Sequence, residues 1–208
     1  MEALIDILKK HWNYDGFRPQ QLAVIESILA GKDTLALLPT GAGKSICFQV
    51  PTIYQRGICI VISPLIALMQ DQVKDLVSKN LKAVLLGSHL SANEESNVFK
   101  EIEAKKYQFI YCSPEKLAQK HFQTLLSGLP IQLFAIDEAH CISQWGHDFR
   151  PDYMALALIR QHFPAVPVMA LTATADSATR QDILQQLALQ QAYVHLGSFD
   201  RPNIRYTV

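Results

Sequence analysis

Residues 37–49 read LLPTGAGKSICFQ: an apolar run, two glycines around an alanine, then a lysine and a serine. Each of these residue types has a use in holding a phosphate chain. Gly41 and Gly43 let backbone N–H groups turn inward with no Cβ in the way. Lys44 is a cation long enough to reach the outer phosphates, the hydroxyl of Ser45 can ligate Mg2+, and Thr40 belongs to the same candidate loop. A helix N-terminus behind the loop would add the positive end of its dipole. The fingerprint G-x-x-x-x-G-K-[ST] is incomplete, because its first glycine falls on Leu38. A tight turn between a strand and a helix uses the same glycines, and from this stretch alone both readings stand.

A second stretch, LFAIDEAH at 133–140, is an apolar run ending in Asp137 and Glu138. NTP hydrolysis needs one carboxylate to hold Mg2+ through water and a neighbour to polarise the attacking water. Two acids at the start of a helix form the competing reading. That reading weakens once a candidate phosphate loop lies on another strand of the same sheet. Lys44, Asp137 and Glu138 are therefore the candidate catalytic residues, with Ser45 and Asp137 as candidate Mg2+ ligands. Directly downstream, CISQWGHDFRPDY at 141–153 crowds Trp145, His147, Phe149, Arg150 and Tyr153 around Gly146. Exposed aromatic side chains are costly unless they stack on something, and nucleobases are apt partners. A buried aromatic cluster under a loop is the alternative.

Positioning these residues requires a sheet. Short apolar runs occur at 34–38, 58–63, 83–87, 108–113, 133–137, 166–173 and 193–197, several apolar throughout, as in strands covered on both faces. Helix candidates lie between them. PLIALMQDQVKDLVSKN places Leu65, Leu68, Met69, Val73, Leu76 and Val77 on one face. SANEESNVFKEIEAKK opens with Ser91 and Glu94 in a capping-box pattern. PEKLAQKHFQTLLSG runs from Pro114 to Gly128 as one helix, and SATRQDILQQLAL starts at a capping Ser177. Two helical segments, about 2–12 and 19–30, precede the first strand. The pattern predicts right-handed β-α-β crossovers and a doubly wound, mainly parallel sheet, at whose carboxyl edge ligands bind. FDRPNIRYTV at the end reads as extended, as in a chain cut at a boundary.

Composition narrows the classes. With 208 residues, 49% of them hydrophobic and 18% charged, the chain is an ordinary globular one with a large core. Nineteen basic residues balance nineteen acidic ones, so a polyanion must be met by local groups rather than by a global field. Cys47, Cys59, Cys112 and Cys141 form no C-x-x-C pair and read as buried small hydrophobes in a reducing compartment, with no zinc expected. The other histidines show no metal-ligand spacing. MEALIDILKK lacks the features of a signal peptide, and no apolar run approaches the ~18 residues of a membrane span. The expectation is a cytoplasmic protein (nucleoid-associated in a bacterium) with no membrane partner.

PTGAGKS, DEAH, LTATA and YDGFRPQQ together resemble the superfamily-2 helicases. DEAHCISQWGHDFRPDY and FDRPNIRY are similar to the RecQ family of ATP-dependent DNA helicases, and the likeness extends from Tyr14 to Tyr206. It implies a RecA-like P-loop NTPase domain over 1–208, with an adenine-recognition segment at about 1–32 and the second RecA-like lobe absent. ATP and Mg2+ are the implied ligands. DNA, single-stranded and at duplex junctions, and the second lobe are the implied partners. Tyr14 and Arg18 would sandwich the adenine and Gln21 would read its edge. On the residues alone, Tyr14 and Phe17 read equally as core aromatics and Arg18 as a surface charge. The family's DNA-facing stretches contain Ser63, Ser88 and Ser113, whose hydroxyls suit phosphodiesters and, equally, plain helix caps. Trp145, His147, Phe149 and Arg150 would couple DNA contact to Glu138 and His140. Thr172 and Thr174 would relay by hydrogen bonds, although β-branched strand residues would also stand there. The parent activity so implied is 3′-to-5′ unwinding driven by ATP hydrolysis. An RNA-directed DEAH-box lobe and a non-catalytic ATP-binding scaffold are the rivals. The aromatic-rich loop and FRPQQ argue against the first, and intact Lys44, Asp137 and Glu138 against the second.

Overall fold

The structure, a computed structural model, describes residues 1–87, 89–145, 148–189 and 191–197. Its strands are β1 Thr34–Leu37, β2 Ile58–Ile62, β3 Ala83–Leu86, β4 Phe109–Cys112, β5 Ile131–Ile136, β6 Val168–Thr172 and β7 Tyr193–Leu196. They form one seven-stranded sheet in the order β3-β4-β2-β5-β6-β1-β7, and every pairing is parallel. The helices are α1 Glu2–Trp12, α2 Pro19–Leu29, α3 Ile46–Gln55, α4 Ile66–Ser78, α5 Ala92–Glu103, α6 Pro114–Leu117, α7 Lys120–Ser127, α8 Ala157–His162 and α9 Ser177–Gln186.

Successive side chains of a strand point to opposite faces, and both faces here are covered. Ala36, Leu38, Cys59 and Val61 pack with Leu8, Ile25, Phe48 and Met69 of α1 to α4. Leu35, Leu37, Ile60 and Ile62 pack with Ile102, Phe122, Leu126, Ile159 and Ile183 on the other side. This is the doubly wound α/β sheet that the strand–helix alternation implied. All four cysteines are buried, and none is in a disulfide.

Three local expectations change. The apolar stripe of α4 is narrower than its spacing suggests: Met69 and Leu76 are buried, whereas Leu65, Leu68 and Val77 are exposed. PEKLAQKHFQTLLSG is two helices, because Gln119 adopts an extended backbone conformation. The Gln123 amide then donates to the Leu117 carbonyl at 3.0 Å, closing the end of α6, and both pieces reach the same core. The cap of α9 is Asp176, whose carboxylate accepts from the Thr179 N–H at 2.8 Å, so Ser177 is the first helical residue. The capping box at Ser91 and Glu94 is formed as expected. Ser88, His147 and the FDRPNIRYTV segment lie outside the described residues.

Candidate active site

Strand order sets the site. β6 lies between β1 and β5, so the loop after β1 and the acids after β5 flank the end of β6 at Thr172. Leu38 explains the missing first glycine. Its N–H donates to the Thr172 carbonyl at 3.0 Å and its side chain is fully buried, so the chain is still in the sheet there. The loop proper begins beyond it. Gly41 and Gly43 hold φ of 82° and 78°, in the left-handed region that glycine enters without strain. A Cβ on Gly43 would collide with the Gln21 amide. Ser45 then caps α3, the expected helix behind the loop.

Asp137 ends β5 in a buried position, and its carboxylate accepts from the Glu138 N–H at 3.0 Å. Burial, with Glu138 beside it, pushes the Asp137 carboxyl up to about 6, and the Lys44 charge pulls the other way. Among the described residues the Lys44 ammonium forms no ion pair or hydrogen bond; only its backbone carbonyl accepts, from the Cys47 N–H at 3.0 Å. A buried carboxylate held above its ordinary range, a free ammonium and the Ser45 hydroxyl on one cleft suit a metal-bound phosphate chain. The cleft measures about 820 Å³, and Tyr14, Arg18, Lys44, Asp75, Asp137 and Glu138 are among the residues lining it. That volume is within the range of small-molecule sites.

Glu138 is not glycine, yet its φ is 48°. Such a conformation costs on the order of 1–2 kcal/mol and persists when surrounding contacts dictate it. Those contacts are present. His140 Nδ1 lies 3.4 Å from Glu138 Oε2 and 2.9 Å from Thr172 Oγ1. Thr172 Oγ1 in turn donates to the Thr174 carbonyl at 3.0 Å and accepts from its N–H at 3.2 Å. Glu138, His140, Thr172 and Thr174 therefore form one connected chain across the ends of β5 and β6. Tyr153 adds a tie that sequence reasoning did not find: its buried hydroxyl donates to the Asp137 carbonyl at 2.9 Å.

The remaining candidates divide. Tyr14 is exposed at the mouth of the cleft, and Arg18 Nη1 donates to the Gly41 carbonyl. Phe17 packs against the core. Gln21 is buried, and its amide is fully engaged. It donates to the Ala42 and Gly43 carbonyls at 3.1 and 3.2 Å and accepts from the Arg18 N–H at 2.9 Å. Ser63 is buried and accepts from the Leu65 N–H at 3.4 Å; Ser113 caps α6 through the Lys116 N–H, also at 3.4 Å. Trp145 is 78% exposed, the most open large apolar side chain among the described residues, while Phe149 is half-buried. Arg150 pairs with Asp148 at 3.2 Å. Sequence reasoning also missed Gln49, Gln72, Asp71 and Asp75, which line the cleft from α3 and α4. A polar residue on an otherwise apolar helix, as Gln49 is, was the available signal. No described helix is long and apolar enough to cross a membrane.

The sequence profile of the DEAD/DEAH box helicases matches residues 18–183. The chain is 48% identical over its whole length to the ATP-dependent DNA helicase RecQ of Pasteurella multocida (strain Pm70), of which it spans 33%. It is 46% identical over 100% of its length to the probable ATP-dependent DNA helicase RecS of Bacillus subtilis (strain 168), of which it spans 42%. The chain thus spans a third to two fifths of these relatives. In fold it resembles the DUF1998 helicase MrfA bound to DNA, with a TM-score of 0.72 at 17% identity over 94% of this chain and 29% of that one. The Pyrococcus furiosus Hef helicase domain aligns with a TM-score of 0.63 at 16% identity, over 85% of this chain and 38% of that one. The chain therefore belongs to the DEAD/DEAH box helicase family, with RecQ-type sequence character.

Proposed function

We propose that this chain is the ATP-binding motor lobe of a RecQ-like DNA helicase that moves 3′ to 5′. The reading rests above all on Lys44 and the Asp137–Glu138 pair lining one cleft, within a chain of RecQ-like sequence. Mg2+, when bound, neutralises phosphate charge and so lowers the barrier to attack. Ser45 and Asp137 are the residues that hold it. Lys44 binds the outer phosphates, and the Glu138 carboxylate takes the proton of the attacking water. Tyr14 and Arg18 enclose the adenine, and Gln21 pairs with its edge. To do so, Gln21 must give up its bonds to Ala42 and Gly43, so base pairing and loop tethering compete for one amide. Exposed Trp145 meets DNA, with His147, Phe149 and Arg150 beside it. The Glu138–His140–Thr172–Thr174 chain carries that contact to the water-activating carboxylate. Backbone N–H groups and the hydroxyls of Ser63, Ser88 and Ser113 serve phosphodiesters without a basic surface.

On this reading residues 1–208 bind nucleotide but neither unwind DNA nor turn over ATP at a useful rate. A second-lobe arginine is worth on the order of 10³–10⁵ in rate in comparable NTPases. Calorimetric titration with Mg-ATP tests the site: Lys44→Ala should weaken binding by ~100-fold or more, from the loss of charge-assisted phosphate contacts worth ~1.5–3 kcal/mol each. Equal affinities would remove Lys44 from the site. Steady-state ATPase with single-stranded DNA tests the rest. DNA-stimulated turnover as fast as a two-lobe enzyme's, and lost in Glu138→Gln, would place the catalytic arginine within these 208 residues.

A further inference from the structure

His140, Cys141 and Asp148 converge just beyond the acidic motif, and their ligand atoms all lie within 4.8 Å of one another. His140 Nε2 is 3.8 Å from Cys141 Sγ, which is 3.7 Å from Asp148 Oδ2. A tetrahedral zinc ion with N, S and O ligands spans ligand–ligand edges of roughly 3.3–3.6 Å. Two edges are therefore within a few tenths of an ångström of that figure. The third closes by movement of Asp148, which is exposed.

We propose that His140, Cys141 and Asp148 form a binding site for a soft divalent cation of the Zn2+ type, with water as the fourth ligand. The surroundings fit such a site. His140 Nδ1 lies 2.9 Å from Thr172 Oγ1 and 3.4 Å from Glu138 Oε2, and Nε2, on the other side of the ring, faces the thiol. Arg150 pairs with the Asp148 carboxylate at 3.2 Å and orients it from outside. In the metal-free site the Cys141 S–H points to Asp148 Oδ2 at 3.7 Å. As the metal–sulfur bond forms, the S–H bond breaks and its proton leaves to solvent. H-C-x6-D is no recognised metal spacing, so the site leaves no mark in the order of residues. Only the turn after Glu138, which brings Asp148 back onto Cys141, creates it.

A bound ion would tie the segment bearing Asp148 to the turn after Glu138. Its effect on DNA coupling depends on the proposed function; its existence does not. The test uses metal alone. The chain, reduced and free of nucleotide and Mg2+, is titrated with Co2+ and read by absorption. One equivalent should produce a thiolate-to-cobalt band in the near ultraviolet with intense four-coordinate ligand-field bands, and Zn2+ should bleach both. Cys141→Ser should abolish the near-ultraviolet band, because among the described residues no other cysteine lies in a group of three potential ligands. Asp148→Asn, an exposed change that leaves the fold intact by circular dichroism, should weaken Co2+ binding at least ~10-fold. A band that is absent, that survives Cys141→Ser or that is unmoved by Asp148→Asn overturns the site.

Discussion

Asp33, just before β1, and Asp137, at the end of β5, are both half-buried or buried carboxylates on strand termini, and they are treated in opposite ways. Asp33 accepts from Arg160 Nη2 through both oxygens at 2.8 Å and from the Val168 N–H at 2.9 Å. Its own carbonyl accepts from the Tyr193 N–H at 2.8 Å, so one residue ties the amino ends of β1, β6 and β7 together. Asp137 has one backbone N–H for its carboxylate and no ion pair among the described residues. The non-glycine residue beside it is in the left-handed region. At the amino edge polar groups close on one another; at the carboxyl edge charge is left over for something that is not protein. The difference teaches which end of the sheet serves stability and which serves a ligand.

The largest effect expected from this contrast is on stability, at the amino edge. Asp33→Ala strands a partly buried guanidinium and an N–H of β6. The loss should be about 3–4 kcal/mol, toward the low end of the range for breaking buried pairs because both side chains keep some solvent. In a domain of this size that lowers Tm by roughly 6–16 °C. Mg-ATP affinity of the folded protein, measured below the transition, should be unchanged. If affinity falls along with Tm, the two edges are not independent and the contrast fails.

Asp137→Asn should act in the reverse sense. The Asp137 carboxyl titrates near 6 in the folded chain, against 3.8 as the ordinary value. Between about pH 4 and pH 6 the folded state therefore binds the extra proton, so stability from this group falls as pH rises through that window and is level above it. Asn carries no charge to desolvate. The variant should thus gain on wild type as pH rises from 4 to 6, reaching about 2–3 kcal/mol at neutral pH without nucleotide. It should also lose the extra stability that Mg-nucleotide confers. Denaturant titrations at several pH values, with and without Mg-ADP, would show both. A pH-independent gap between the two proteins would mean that Asp137 is not the strained carboxylate described.

Much of this contrast was legible in the sequence. All seven strands follow from apolar runs that need cover on both faces, and Lys44, Asp137 and Glu138 follow from residue type and strand position. Hidden were properties that depend on neighbours distant in the chain. Leu38 is a strand residue because of its bond to Thr172, and α4 loses half its apolar stripe because Leu65, Leu68 and Val77 are exposed while Met69, Val73 and Leu76 pack on the core. The helix after the phosphate loop contains Pro51 and β-branched residues, so its own propensity says little; packing against α1, α2, β2 and β5 holds it. The Asp33 clamp spans more than a hundred residues and leaves no local pattern.

The smallest predicted effect lies where the two cores of polar and apolar contact meet, at Tyr111. This residue of β4 is fully buried, and its hydroxyl donates to Gln72 Oε1 of α4 at 3.0 Å, with the Gln49 side chain of α3 close by. Gln49 sits one helical turn beyond Ser45, with its N–H on the Ser45 carbonyl at 2.9 Å, and both glutamines line the cleft. Tyr111→Phe keeps the ring and removes the one atom that bonds β4 to the Gln72 side chain of α4. The apolar core is unaltered, so no cavity term enters. The half-buried Gln72 can turn to water in the cleft, which holds the cost to roughly 1 kcal/mol rather than the larger penalty of a sealed unpaired group. A Tm drop of ~2–4 °C should accompany it. Nucleotide affinity should fall by only a few-fold, because Gln49 supports the Ser45 turn from behind and touches no phosphate. A loss above ~3 kcal/mol would show that the hydroxyl belongs to the amino-edge kind of closed network. A large loss of affinity with no change in stability would instead make Tyr111 part of the ligand edge, and would move the boundary between the two regions one layer deeper into the sheet.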